Sequence, residues 1–297
     1  MISVAELSLR GILIEADENT KLNSGPKKHR GLIILAILIL IFALSWLWSW
    51  MPVVEHMDID VPDADGYVAT IVLLTDLHSC YYGPGQKWLL DAIDKEEPDI
   101  ILLGGDFFDD VLDEDNAKIT AEYLAQNYNC YYVTGNHEFW SGRAGAMKQY
   151  LRDIDVNVLE GDCISTTLKE TWFDICGIDD PEVGEAEWWR QLERAYSQTQ
   201  EGHIRLLLTH RPERVSDYQK YDFDLILAGH AHAGQILIPF INKGVFAPDQ
   251  GFMAEYVNGA YMLPNGSIME VSRGLGREST FAPRFFNHPE IVVIDIH

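Results

Sequence analysis

The chain has 297 residues, 47% of them apolar, enough for one large buried core and too apolar for a disordered polypeptide. There are 46 acids against 22 Lys and Arg, a formal net charge of -24, which excludes nucleic acid as a partner because phosphate backbones are held by clustered cations. The same charge repels phosphorylated substrates and anionic lipid, so phosphate chemistry here requires a strong local positive charge such as bound divalent cations.

Residues 1–30 carry no sustained period and read as a cytoplasmic tail that ends in a linker at Asn23-Ser24-Gly25-Pro26. Gly31 to Trp50 is free of charge, and only Ser45 and Ser49 are polar. As a helix rising about 1.5 Å per residue it spans about 30 Å, the hydrocarbon thickness of a bilayer. A transmembrane helix is expected at 31–50. A cleaved export signal competes with it, since Ala43-Leu44-Ser45 offers small residues, but the apolar run continues through Trp46, Trp48 and Trp50, which read as an interfacial belt. Lys27-Lys28-His29-Arg30 abuts the amino end, whereas Glu55, Asp58, Asp60, Asp63 and Asp65 follow the carboxyl end with no Lys or Arg before Lys87. The positive-inside rule then places everything after Trp50 outside the cytoplasm, tethered to the membrane. Residues 51–66, with Pro52 and Pro62, read as an acidic spacer, and 67–297 as the catalytic domain.

From Tyr67 strands and helices alternate. Strand Ile71–Leu74, a helix over 86–96, strand 100–103, a helix over 116–127 and strand 130–134 make a βαβαβ unit. A helix at 145–153 leads to three short antiparallel strands at 156–159, 163–168 and 172–178. A helix at 185–200 returns the chain to strands 204–208 and 223–228, and Ile291–Ile296 is a last strand. The stretches 79–85 and 234–288 are expected to shape a pocket.

None of the four cysteines shows a Cys-x-x-Cys spacing, which weakens a structural zinc site or a redox motif. Cys163 and Cys176 lie equally far from Lys169-Glu170, so a two-residue hairpin loop would set them opposite one another. A cross-strand disulfide and a pair of free thiols both remain open, and export permits the first.

Five apolar strands each run into residues of metal-ligand type: Asp76 and His78, Asp106, Asn136 with His137, His210, and His230 with His232. Carboxylates, imidazoles and a carboxamide together suit Mn, Fe, Zn or Co, whereas an all-oxygen set would suit Mg or Ca. Seven ligands exceed one tetrahedral site and match two ions sharing a bridging carboxylate, with Asp106 the central candidate. Such a pair clamps a phosphoryl group and acidifies a water for in-line attack.

Asp76-x-His78, Gly105-Asp106-x-x-Asp109, Gly135-Asn136-His137-Glu138, His210 and Gly229-His230-x-His232 resemble, in order, the five blocks of the calcineurin-like metallophosphoesterase superfamily. The resemblance implies an α/β four-layer sandwich of two mixed sheets flanked by helices. It assigns Asp76, His78, Asp106 and His232 to one metal, and Asp106, Asn136, His210 and His230 to the other. It makes His137 the group that stabilises the transferring phosphoryl or protonates the leaving oxygen, and Asp109 the group that orients His137. Where several phosphatases of the superfamily have Arg after Gly-Asp, this chain has Phe107.

The tail Val271-Ser272-Arg273-Gly274-Leu275-Gly276, with Arg284 and Pro289-Glu290-Ile291, is similar to the membrane-anchored bacterial YaeI/YkuE-type phosphodiesterases. That likeness implies phosphodiester substrates, lipid-linked ones included, and makes Arg273, Arg277 and Arg284 candidate phosphate contacts. Phosphomonoesterase or nucleotide-diphosphate-lipid pyrophosphatase activity, and an inactive metal-binding module, are the alternatives. The intact set of seven ligands and His137 argues against the last.

Overall fold

A computed structural model describes residues 25–60, 68–241, 243–277 and 283–297. The tail at 1–24 and the spacer residues 61–67 lie outside the described residues. The chain divides into two units, 1–47 and 48–297. In the first, helix α1 (Gly25–Trp48) contains a stretch, His29–Trp48, long and apolar enough to cross a membrane. Its Leu and Ile side chains are exposed along its length, unlike those of a core helix.

The second unit contains β1 (Val53–Ile59), β2 (Ala69–Leu74), α2 (Lys87–Asp94), β3 (Ile100–Gly104), α3 (Asp115–Asn127), β4 (Asn129–Val133), α4 (Asn136–Trp140), α5 (Ala144–Asp153) and β5 (Asn157–Val158). It continues through β6 (Asp162–Leu168), β7 (Thr171–Gly177), α6 (Glu185–Ser197), β8 (Ile204–Leu208), α7 (Val215–Tyr218), β9 (Leu225–Ala228), β10 (Gly259–Met262), β11 (Ile268–Val271) and β12 (Glu290–Ile296). One six-stranded sheet has the order β1-β12-β2-β3-β4-β5 and the other β10-β11-β9-β8-β7-β6; both are mixed.

Alternation along the strands builds the layers. Ile71 and Leu73 of β2 pack between the sheets with Phe173, Ile175, Leu206, Leu208, Leu225 and Leu227. Val72 and Leu74 point the other way, onto Leu89 and Ile93 of α2 and Ala121 and Leu124 of α3. On the second sheet's outer face, Leu207 and Ile226 meet Trp188, Leu192 and Ala195 of α6. The result is the expected helix–sheet–sheet–helix sandwich, and each fully buried aliphatic side chain contributes about 1.5–3 kcal/mol.

Three differences from the sequence reading concern strands. Asn157–Val158, expected antiparallel to the two strands after it, pairs in parallel with β4 in the first sheet, since so short a strand carries no sign of its direction. Val53–Ile59, read as acidic spacer, is an edge strand in parallel register with β12, from Val53 opposite Glu290 to Ile59 opposite Ile296. Glu55 and His56 face water there, so the segment lacks the unbroken apolar signature of a central strand. β10 and β11 likewise arise in a stretch whose Gly and Pro content hides them. The hairpin at Lys169-Glu170 forms as expected; Cys163 pairs with Cys176 across it and the two are disulfide-bonded, while Cys80 and Cys130 are buried free thiols.

Candidate metal centre

The turns after β2, β3, β4, β8 and β9 meet at one edge of the sandwich and bring together Asp76, His78, Asp106, Asn136, His137, His210, His230 and His232. Five of these, Asp76, His78, Asp106, His230 and His232, have φ between 46 and 64°, a left-handed conformation that non-glycine residues rarely adopt. Each such residue costs on the order of 1–3 kcal/mol, which the packed turns around it must offset. Hydrogen bonds between turns hold them: the Asp76 amide donates to Gly105 O and the His78 amide to Asp106 O, both at 2.9 Å. Gly135 is glycine because a Cβ there would strike the Asp106 carboxylate, and Gly274 (φ 71°) because a Cβ would strike Asp76.

Asp106 is central. Its Oδ2 lies 3.2 Å from His210 Nε2, 3.7 Å from His78 Nε2 and 4.0 Å from His137 Nε2. Asp76 Oδ1 lies 3.6 Å from His232 Nε2 and 4.0 Å from the Nε2 atoms of His78 and His210. Asp76, His78 and His232 bring one donor atom each within 4.8 Å of one another, and so do Asp106, His210 and His230. His78 Nε2, His210 Nε2, Asp106 Oδ2 and Asn136 Oδ1 are all buried without a hydrogen-bond partner. Orphaned buried polar atoms are costly and rare, and four of them on neighbouring ligand-type side chains are what a cation site requires.

The other ends of these groups are satisfied. The Asp109 carboxylate lies 3.1 Å from His78 Nδ1, and Gly104 O lies 2.9 Å from His210 Nδ1. If those nitrogens carry the hydrogens, both Nε2 lone pairs face the centre. Asp106 Oδ1 accepts from the His137 amide at 2.8 Å, which leaves Oδ2 turned inward. The charge balance favours cations. Burial alone would push the His210 imidazole down, but the Asp106 carboxylate beside it raises it to about 10. Burial would likewise raise Asp106, yet His210 and His78 hold it well below the usual carboxylate range. For His232, burial and the neighbouring His78 and Arg284 push the imidazole down, the direction a neutral ligand needs.

The orienting group of His137 differs from the expected one. Asp109, expected in that role, holds His78 and lies 3.6 Å from His137 Nδ1; Asp110 Oδ1 lies 2.7 Å from that nitrogen instead. A further residue emerges from the Gly-Asn-His-Glu stretch. Glu138 accepts four backbone N–H groups, from Gly135 at 2.8 Å, Asp106 at 3.1 Å, Phe107 at 2.8 Å and Phe108 at 3.1 Å. It ties the turn after β3 to the start of α4 and so fixes Asp106 against Asn136. Its place three residues after Gly135 at a helix start is the signal that points to such a clamp.

The three candidate phosphate arginines are engaged elsewhere. Arg273 is buried and its Nε donates to Glu290 at 2.6 Å while Nη2 donates to Glu55 at 2.8 Å. Arg277 donates to the Trp50 and Tyr81 carbonyls. Arg284 is buried, donates to Gly276 O at 2.6 Å and Arg273 O at 2.8 Å, and lies 3.3 Å from His232 Nδ1, so it backs a candidate ligand. Phe107 is wholly buried. The guanidinium nearest the second group of ligands is Arg211, directly after His210, with Nη1 3.0 Å from His230 Nε2 and Nε bonded to Asp180 at 2.5 Å. Asp249 Oδ2 also lies 3.0 Å from His230 Nε2.

The sequence model of the calcineurin-like phosphoesterase family matches residues 69–234, more than half of the chain. An uncharacterized metallophosphoesterase of Campylobacter jejuni is 26% identical over 89% of this chain and 68% of its own length. Phosphodiesterase YaeI of Escherichia coli is 26% identical over 76% of this chain and 81% of its own. A transmembrane protein with metallophosphoesterase domain from Danio rerio is 28% identical over 69% of this chain and 48% of its own. With two mixed sheets between helices and ligand-type side chains gathered at the strand ends, this chain belongs to the calcineurin-like phosphoesterase family.

Proposed function

We propose that the protein is a membrane-tethered phosphodiesterase that works with two divalent cations. Asp76, His78, Asp106 and His232 would hold one, and Asp106, Asn136, His210 and His230 the other. The observation that carries this reading is Asp106 Oδ2 at 3.7 Å from His78 Nε2 and 3.2 Å from His210 Nε2, all three atoms buried without hydrogen-bond partners, as is Asn136 Oδ1. Mixed nitrogen and oxygen donors favour Mn, Fe, Zn or Co. Cations bound there would supply Lewis acidity to a phosphoryl oxygen and acidify a water.

The chain's own groups do the rest. His137 stands at the centre with Nε2 4.0 Å from Asp106 Oδ2, and the Asp110 carboxylate lies against its Nδ1. In its imidazolium form it would donate a proton from Nε2 to the leaving oxygen. Asp109 and Gly104 O keep His78 and His210 in register, and Glu138 holds the Asp106 turn in place. The phosphodiesterase named among the relatives supports a diester over a monoester.

Export of the catalytic domain is supported by the basic flank ahead of α1, by the acidic residues after it, and by the Cys163–Cys176 disulfide, which persists in oxidising compartments. The test is metal analysis of the purified full chain together with turnover of a chromogenic phosphodiester and the matching monoester with added Mn. Two ions per chain and faster diester cleavage are expected. Absence of turnover of either ester with any divalent metal would overturn the hydrolase reading.

A further inference from the structure

β1 begins at the edge of the second unit that carries the metal centre. β12 runs antiparallel to β2, so Glu290 stands at the end of β2 from which Asp76 follows, and β1 starts beside it with Val53 opposite Glu290. The Val53 amide donates to Pro289 O at 2.9 Å, and the Glu290 amide to Gly274 O at 3.2 Å, the glycine that backs Asp76. Trp50 and Met51, just ahead of β1, are exposed.

Two short ribbons leave the same edge. Leu237–Ile238 pairs with Lys243–Gly244, and Phe246–Ala247 pairs with Gly251–Phe252. The first follows directly on His232 and is tied down by Leu237 N–H to Phe285 O at 3.1 Å and by Asn287 Nδ2 to His232 O at 2.8 Å. At its tip Phe240 is fully exposed and Ile241 half exposed. The second ribbon turns at Asp249, which reaches His230, and exposes Phe252 at 79% and Met253. Six apolar side chains therefore stand in water around one edge, whereas the opposite end of β8 and β9 exposes three acids, Glu201, Asp222 and Asp224, beside two apolar side chains, Trp172 and Met262. Soluble surfaces rarely place large apolar groups together without a partner.

We infer that this edge rests on the interface of a phospholipid bilayer. Phe240, Ile241, Phe252 and Met253 enter the headgroup region beside Trp50 and Met51, and the metal centre takes phosphodiesters presented by lipid headgroups at that surface. A bilayer is the occupant the chain itself provides. α1 contains a stretch long enough to cross one, and only four residues separate Trp48 from Val53 on this edge. Aromatic and aliphatic tips of this kind gain most at the boundary between headgroups and acyl chains. The contact surface stands on the ribbons and the chain connection; the headgroup substrate rests in addition on the phosphodiesterase reading.

The test uses the full chain reconstituted in phosphatidylcholine vesicles, with a polarity-sensitive fluorophore on Phe240→Cys or, as control, on Glu201→Cys. Spin-labelled phosphatidylcholine should quench the label at 240 at least about threefold more than at 201, with aqueous iodide showing the reverse order. Equal quenching at both positions, or a disulfide-linked dimer through position 240, would overturn the proposal. The variant Phe240→Asp/Phe252→Asp should cleave vesicle-borne phosphodiester about tenfold more slowly and keep its rate on a soluble ester. Loss confined to neither substrate would overturn the headgroup assignment. Failure of every ester to react would instead sink the hydrolase reading, and the quenching contrast would still decide the contact surface.

Discussion

His137 Nδ1 lies 2.7 Å from the Asp110 carboxylate, and this contact separates the role of Asp110 from that of its neighbour Asp109, which holds His78 Nδ1 at 3.1 Å. Two adjacent carboxylates thus serve two different imidazoles. His137→Ala should lower turnover by about two to four orders of magnitude with metal still bound, since it removes a proton donor or charge stabiliser. Asp110→Asn should lower turnover by about one to two orders, most on esters with poor leaving groups, and leave metal content intact. Asp109→Asn should instead weaken metal retention by about tenfold or more through His78. Metal analysis beside leaving-group dependence checks the pair, and a metal loss in Asp110→Asn equal to that in Asp109→Asn would contradict the division of labour.

Glu138 accepts four backbone N–H groups in a fully buried position. Its removal leaves those donors without partners and frees the turn that presents Asp106. Glu138→Ala should cost at least about 3 kcal/mol in denaturant unfolding and lower metal affinity, while Glu138→Gln, which keeps one carbonyl oxygen, should recover part of both. Equal loss in the two variants would argue that the negative charge and not the acceptor geometry matters.

What the sequence made legible has a local cause. Aliphatic runs such as Ile71–Leu74 and Leu225–Ala228 are buried on both faces, so they stand out, and the ligand-type residues follow each within a few positions. β1 escaped because this edge strand carries exposed Glu55 and His56, one on each face, among its apolar residues. The choice between Asp109 and Asp110 depends on side-chain rotation, which adjacent identical residues do not reveal. The arginines failed for a different reason. Arg273 finds Glu55 at a separation of 218 residues, a partner visible only once β1 lies beside β12.

That pairing gives Arg273 a structural role that can be measured. Its guanidinium is buried against Glu290 and also reaches the exposed Glu55, so removal of Arg273 leaves the buried Glu290 carboxylate uncompensated. Arg273→Ala should destabilise by about 3–5 kcal/mol, with KM for a soluble phosphodiester changed less than about threefold. A rise in KM of tenfold or more without loss of stability would restore the phosphate-binding role.

Glu270 on β11 sits in the same neighbourhood and gives the domain a pH dependence of its own. Burial, and then the charge of Glu290, push its carboxyl up to about 8 from an ordinary value of 4.5, against the pull of Arg273. Because the folded state holds this proton more tightly than the unfolded chain, its stabilising contribution is complete below about pH 4.5 and is lost as pH rises through about 8. Burial shifts Glu290 in the same direction, so a single substitution will not abolish the slope, and the difference between variant and parent isolates Glu270. Glu270→Gln mimics the protonated acid. Its urea midpoint should match the parent near pH 5 and exceed it at pH 9 by the equivalent of about 2 kcal/mol or more. Parallel midpoints for the two proteins from pH 5 to pH 9 would show that Glu270 ionises normally and that its burial is relieved by water.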